Sequence, residues 1–119
     1  MSDMPAAFKS VTRTARKQHR CCECLTPIMP GTKYKYSSGV WDGQASSYKQ
    51  CEDCAFIMNA AASEAGYSDE GPSFRDLRNY FFDQMHVGFV GEPFVLERAK
   101  DMGCDPAALA RLLSIELTA

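Results

Sequence analysis

The chain reads Arg20-Cys21-Cys22-Glu23-Cys24 and then, 26 residues further on, Cys51-Glu52-Asp53-Cys54. Each stretch holds a Cys-x-x-Cys pair, and this doubled pattern organises everything around it. Two residues between cysteines let a tight turn aim both thiolates at one ion, and zinc takes four such ligands tetrahedrally. Cys21, Cys24, Cys51 and Cys54 are therefore the expected ligands of one structural Zn2+. Cys22 has only one residue between it and Cys24, which fits a knuckle poorly, and is expected to be a partly buried spare thiol. His19 is a weaker substitute ligand, since four thiolates already complete the shell. Iron is the alternative metal for a four-thiolate site, and disulfide pairing the alternative chemistry.

Outward from the cysteines, residues 33–50 alternate as strands do. Tyr34 and Tyr36 interleave with Lys33 and Lys35, and Asp42-Gly43 is the strongest hairpin signal in the chain. After Cys51 the period becomes helical. Glu52 and Asp53 suit a first turn, Phe56, Ile57, Ala60, Ala61 and Ala65 mark a face, and Gly66 is placed to stop it. Three more helices are expected. One starts at an Ser73 N-cap and runs to about Gly88. The next covers Glu92 to Met102 and is closed by Gly103. The last is opened by Asp105-Pro106 and reaches about Leu117. Residues 1–12 show little periodicity and read as an arm or short helix.

The order of cysteine turn, hairpin and cysteine-bearing helix over residues 20–66 resembles a treble-clef zinc finger. More narrowly, the Cys-x-x-Cys pairs with Ile28-Met29-Pro30-Gly31, Tyr34, Gly39-Val40-Trp41-Asp42-Gly43 and Lys49-Gln50 are similar to small uncharacterised proteins encoded by phages and prophages. That resemblance implies a phage accessory protein and no established activity. The expected architecture is α+β: a basic segment over 1–19, a treble-clef module over 20–67 and a helical extension over 73–119 packed on it.

The chain has 119 residues, 13 Lys+Arg and 15 Asp+Glu. Its near-neutral total hides a formal +5 over residues 1–50 (eight basic, three acidic) and −7 over 51–119 (five basic, twelve acidic). Nothing approaches the roughly 18 apolar residues of a membrane span, and no apolar signal-peptide core follows the N-terminus. A cytoplasmic protein without a membrane partner is expected.

Catalysis is not expected. Four cysteines leave zinc no open position for water. The span from Lys33 to Gly66 has no histidine to hold a second metal, and the deaminase His-x-Glu partner is missing. The functional expectation is a small binding protein whose acidic helical half meets a protein partner, with homo-oligomerisation open. The alternative is a nucleic-acid-binding finger using Arg13, Arg16, Lys17, Arg20, Lys33, Lys35 and Lys49, with the hairpin tyrosines as stacking platforms. Ala99, Gly103 and Leu109 sit at helix-turn-helix offsets. The second helix, however, offers only Arg111 and Ser114 to bases, so a packed αα-hairpin is the favoured reading.

Overall fold

A computed structural model describes residues 7–41, 43–66 and 72–118. Five strands precede four helices: β1 Ala7–Thr14, β2 His19–Arg20, β3 Pro27–Ile28, β4 Lys33–Trp41, β5 Gln44–Cys51, α1 Glu52–Glu64, α2 Leu77–Phe82, α3 Glu92–Met102 and α4 Pro106–Leu113. The chain is thus α+β, and among the described residues no helix is long and apolar enough to cross a membrane.

The hairpin forms as its alternation requires. Tyr34 pairs with Cys51, Tyr36 with Lys49 and Trp41 with Gln44. The last pairing leaves a two-residue turn in which Gly43 has φ +78°, the left-handed conformation such turns demand. Asp42, the other turn residue, and 68–71 of the polar loop lie outside the described residues.

Of the segment 1–12 expected to be an arm or short helix, residues 1–6 lie outside the described residues and 7–12 belong to a strand, β1. β1 runs antiparallel to β4, Val11 opposite Tyr36 and Arg13 opposite Tyr34, giving the sheet order β1-β4-β5. Its side chains alternate basic or Val (Lys9, Val11, Arg13) against Ser10, Thr12 and Thr14, so period two is present without an apolar face to reveal it. Ser10 and Ser37 hydroxyls meet at 3.0 Å across the pair.

β2 and β3 form a two-stranded antiparallel pair, His19 opposite Ile28, that holds the first cysteine turn. The turn closes through Cys21 N–H to Thr26 O and Leu25 N–H to Cys21 O, each 3.0 Å. It docks on β5 through Cys22 N–H to Lys49 O at 2.8 Å.

α1 lies centrally, touching the hairpin, α3 and α4. Ala61 is fully buried; small side chains in this stretch permit that approach. α3 has the expected bounds and ends at Gly103, φ +71°. α4 opens as expected, Asp105 Oδ1 accepting from Ala107 N–H at 3.0 Å. It stops at Leu113 rather than about Leu117, because Ser114 turns left-handed (φ +59°) and Ile115 N–H bonds back to Ala110 O. Arg78 Nε takes the Leu112 carbonyl at 2.8 Å.

α2 is much shorter than the expected 73–88. Ser73 is not its N-cap; Asp76 stands there without a side-chain cap bond. Arg75 has φ +70°, and the N–H groups of Arg75 and Leu77 point at the carboxylate of Glu23. A long-range acceptor thus replaces the local cap and shortens the helix. At its other end Gln84 and Met85 donate to Phe81 and Phe82, tightening the last turn before Gly88.

One buried cluster runs from the cysteine turn to the last helix, including Cys21, Ile28, Tyr34, Ile57, Leu77, Phe81, Phe94, Leu109 and Leu112. In Tyr80-Phe81-Phe82 the middle ring is fully buried and Phe82 is exposed, as three consecutive helical positions require.

Candidate metal centre

Cys21, Cys24, Cys51 and Cys54 bring their sulfurs within 4.8 Å of one another. Two come from the β2–β3 turn, one from the end of β5 and one from the first turn of α1. Tetrahedral metal–thiolate bonds of about 2.3 Å set sulfur–sulfur edges near 3.8 Å. Cys24 Sγ and Cys51 Sγ are 3.8 Å apart, far beyond the roughly 2.05 Å of a disulfide, and all six cysteines are free thiols. The donor set fits a metal ion and is compatible with structural zinc. When bound, such an ion would cross-link the turn, the hairpin and α1.

Backbone amides prepare the sulfurs for charge. Glu23 N–H points at Cys21 Sγ (3.4 Å) and Cys54 N–H at Cys51 Sγ (3.5 Å). Cys51 is the N-cap of α1, with φ −63° and ψ 161°. Its sulfur therefore does the work that a Ser or Asp oxygen usually does.

Protons and a metal compete for these sulfurs. Hydrogen bonds from Cys21 first, then Cys51 and Cys54, hold Cys24 well below the ordinary thiol range. At Cys21 the bond with Cys24 pulls upward, but those with Cys51 and Cys54 prevail and bring it to about 6. Cys51 and Cys54 are pushed up, chiefly by the bonds with Cys21 and Cys24. The four thiols titrate as one coupled group, and a cation bound among them would displace their protons.

The spare thiol, Cys22, is half-buried and donates toward Glu23 Oε2 at 3.6 Å. Burial first, then the Glu23 charge, push it up to about 12, which leaves it a poor nucleophile. His19 lies against Tyr34, the ring centroids 5.2 Å apart and the planes tilted by 44°, and is outside the cluster. Partial desolvation first, then Lys49 and Lys17, hold its pKa below the ordinary histidine value. Cys104 is half-buried between α3 and α4. His86 bridges to Phe89 on the far loop.

Two residues that sequence reasoning missed complete the surroundings. Glu23 is only 5 % exposed, and its carboxylate accepts from Gln50 Nε2 (3.1 Å), Arg75 N–H (2.8 Å) and Leu77 N–H (3.2 Å). It fastens the cysteine turn to the helical half. Arg111, weighed only as a DNA-reading side chain, reaches back from α4 to Asp53 Oδ2 at 2.8 Å. Its pKa is raised, first by Asp53 and also by the Cys24 and Cys51 sulfurs beside it. A cation there offsets the charge of a four-thiolate centre. The Cys-x-x-Cys spacing signals ligands but carries no trace of either contact.

The basic residues of the N-terminal half do not form one stripe. Arg13 lies over the Tyr36 ring at 3.9 Å, with Lys49 Nζ 5.6 Å from the same ring. By strand alternation Lys33 and Lys35 belong to the opposite face of the sheet. Arg16 and Lys17 are exposed between β1 and β2, and Arg20 Nη1 donates to Leu25 O at 2.7 Å.

Comparison with protein-family models, with curated proteins and with solved structures finds no match to this chain.

Proposed function

We propose that Cys21, Cys24, Cys51 and Cys54 hold one structural zinc ion in a treble-clef finger, and that the protein is a non-enzymatic binding module. The observation that carries this is the convergence of four free sulfurs from two distant turns, with an edge of 3.8 Å. Zinc is favoured over iron because the second pair opens a helix, the arrangement of zinc knuckles closed by a helix N-terminus. Four thiolates saturate the ion, so it would staple the fold and activate no water.

The partner in this reading is a protein. Support comes from the apolar side chains the helical half leaves in solvent. Phe82, Val90 and Leu96 are each at least 40 % exposed and Val87 is 99 % exposed, all within fifteen residues. They sit in the half with formal charge −7, so a basic, partly apolar protein surface is the complementary target. The likeness to phage and prophage proteins extends this to a host-directed regulatory or inhibitory role in the host cytoplasm; that step is analogy.

The second reading, nucleic-acid binding, is favoured by Arg13 and Lys49 flanking Tyr36, the pairing of cations and ring that single strands use. Affinity capture of partners with and without chelator tests the first reading: a host protein retained only by metal-loaded material supports it. A gel shift with single-stranded DNA at 50 and 200 mM salt tests the second. Retardation lost at the higher salt supports nucleic acid, and none at either salt removes it.

A further inference from the structure

A pocket of about 590 Å³ opens where the outer edge of β5 meets the cysteine turn and α2. Four cations line it: Arg20 from β2, Lys49 from β5, Arg75 just before α2 and Arg78 within it. They are far apart in sequence, and the fold alone assembles them. Arg75 and Arg78 are two of only five basic residues in the acidic half, and both are delivered to this concavity. Its local charge is thus opposite to that of the half that supplies them.

Among the described residues none of the four forms an ion pair, whereas Arg98 and Arg111 both do. Glu23 is the one carboxylate in the lining. Its oxygens are taken by Gln50 Nε2 and by the N–H groups of Arg75 and Leu77, so it fixes the backbone of the pocket and leaves an excess of positive charge. Two of the guanidinium groups are already oriented. Arg20 Nη1 donates to Leu25 O and Arg78 Nε to Leu112 O. Each spends one of five N–H donors on a carbonyl and keeps the rest. Guanidinium groups without an ion-pair partner along the wall of one concavity suit phosphate recognition, because the planar fork matches two phosphate oxygens. The volume lies within the range of small-ligand sites.

We infer that this pocket binds a small phosphate-bearing ligand, a pyrophosphate or phosphate-ester group of mononucleotide size, through Arg20, Lys49, Arg75 and Arg78. The site goes beyond the metal reading: the proposed metal ligand Cys21 lines one wall of the pocket, but the contacts inferred here come from the four basic side chains. A discrete concavity favours a small ligand over a nucleic-acid strand, whose backbone would need the cations strung along a face, and Lys33 and Lys35 lie away from it.

The test is isothermal titration of the full chain, its metal content measured in the same sample, with inorganic pyrophosphate at 50 mM salt. Saturable one-to-one binding is expected, weakened about tenfold in Arg75→Gln and again in Lys49→Gln, with metal content and melting temperature unchanged. Neither side chain caps a carbonyl, so both variants should fold. No binding at millimolar pyrophosphate to metal-loaded protein would overturn the inference, as would variants that bind as tightly as the parent. Binding of a ten-nucleotide thymidine strand, lost in both variants while pyrophosphate fails to bind, would overturn it in favour of nucleic acid. Metal content separates these failures from a failure of the zinc reading.

Discussion

The backbone N–H of Leu77 donates to Oε1 of Glu23 at 3.2 Å, across 54 positions of the chain. Glu23 sits between two residues of the four-cysteine cluster, and Leu77 is the first residue of α2, so this bond joins the cysteine turn directly to the helical extension. With the bonds from Arg75 N–H and Gln50 Nε2, three donors depend on one buried side chain. Glu23→Ala orphans them at about 1–3 kcal/mol each, partly offset by no longer burying a charge. A net loss of about 2–4 kcal/mol is expected in urea denaturation, with amide exchange accelerating in α2 before α4. Unchanged protection in α2 would show that the apolar core, not Glu23, holds the two parts together.

Arg111 makes a different prediction for stability and for metal affinity. Its ion pair with Asp53 is substantially exposed on both sides and is worth at most about 1 kcal/mol. Cys24 and Cys51 are among the groups that raise the Arg111 pKa, so its charge would act on an ion held there, where outer partners change affinity about 10–100-fold. Arg111→Leu is therefore expected to weaken zinc binding about tenfold in chelator competition, with little change in the metal-free protein, and Arg111→Lys to recover most of it. Equal affinity in all three would remove Arg111 from the site.

The four-cysteine cluster and most elements were legible because they rest on local rules. Cys-x-x-Cys is a turn that can be read from spacing, Asp42-Gly43 marks a hairpin, and Gly103 with Asp105-Pro106 marks the end of α3 and the start of α4. What was misread depends on partners far away in sequence. Between Ala7 and Thr14 the two large apolar residues, Phe8 and Val11, fall at opposite positions of a period-two pattern and so announce no face; pairing with β4 makes the segment a strand. Ser73 is a good local N-cap, yet the acceptor that α2 obeys is Glu23, fifty residues earlier. Arg111 stands out in the sequence only as a side chain able to reach bases and Arg78 carries no signal; only the packing of α4 on α1 and α2 shows that Arg78 caps Leu112 and Arg111 reaches Asp53.

Arg98 is the mechanical link between α1, α3 and the segment after α2. Its side chain is only 13 % exposed and bonds to both oxygens of Glu64, at 2.6 and 3.0 Å, and to Gln84 Oε1 at 3.0 Å, over the Phe81 ring. A two-pronged pair in such a setting exceeds an ordinary surface bridge. Arg98→Met keeps the stem against Phe81 and removes the charge, so the loss is expected to be about 1–2 kcal/mol by urea denaturation. A change under about 0.5 kcal/mol would reduce the network to a surface contact.

Metal removal sets the largest effect. A four-thiolate zinc site contributes on the order of 10 kcal/mol of apparent binding free energy, as much as the entire net stability of an ordinary domain. Cys21 and Cys54 are fully buried, so stripping the ion leaves competing thiols at the heart of the core cluster. Chelation at neutral pH is expected to release one equivalent of zinc and abolish the near-ultraviolet dichroism of the packed aromatics, with recovery on adding zinc back; Cys54→Ser should resemble the chelated protein. Acid acts in the same direction, because protons compete for each sulfur: zinc content should fall as pH drops, and return as it rises. Reduced protein that is folded, purified without chelator and free of metal by elemental analysis would contradict this, since the four sulfurs would then be a packing cluster that needs no ion.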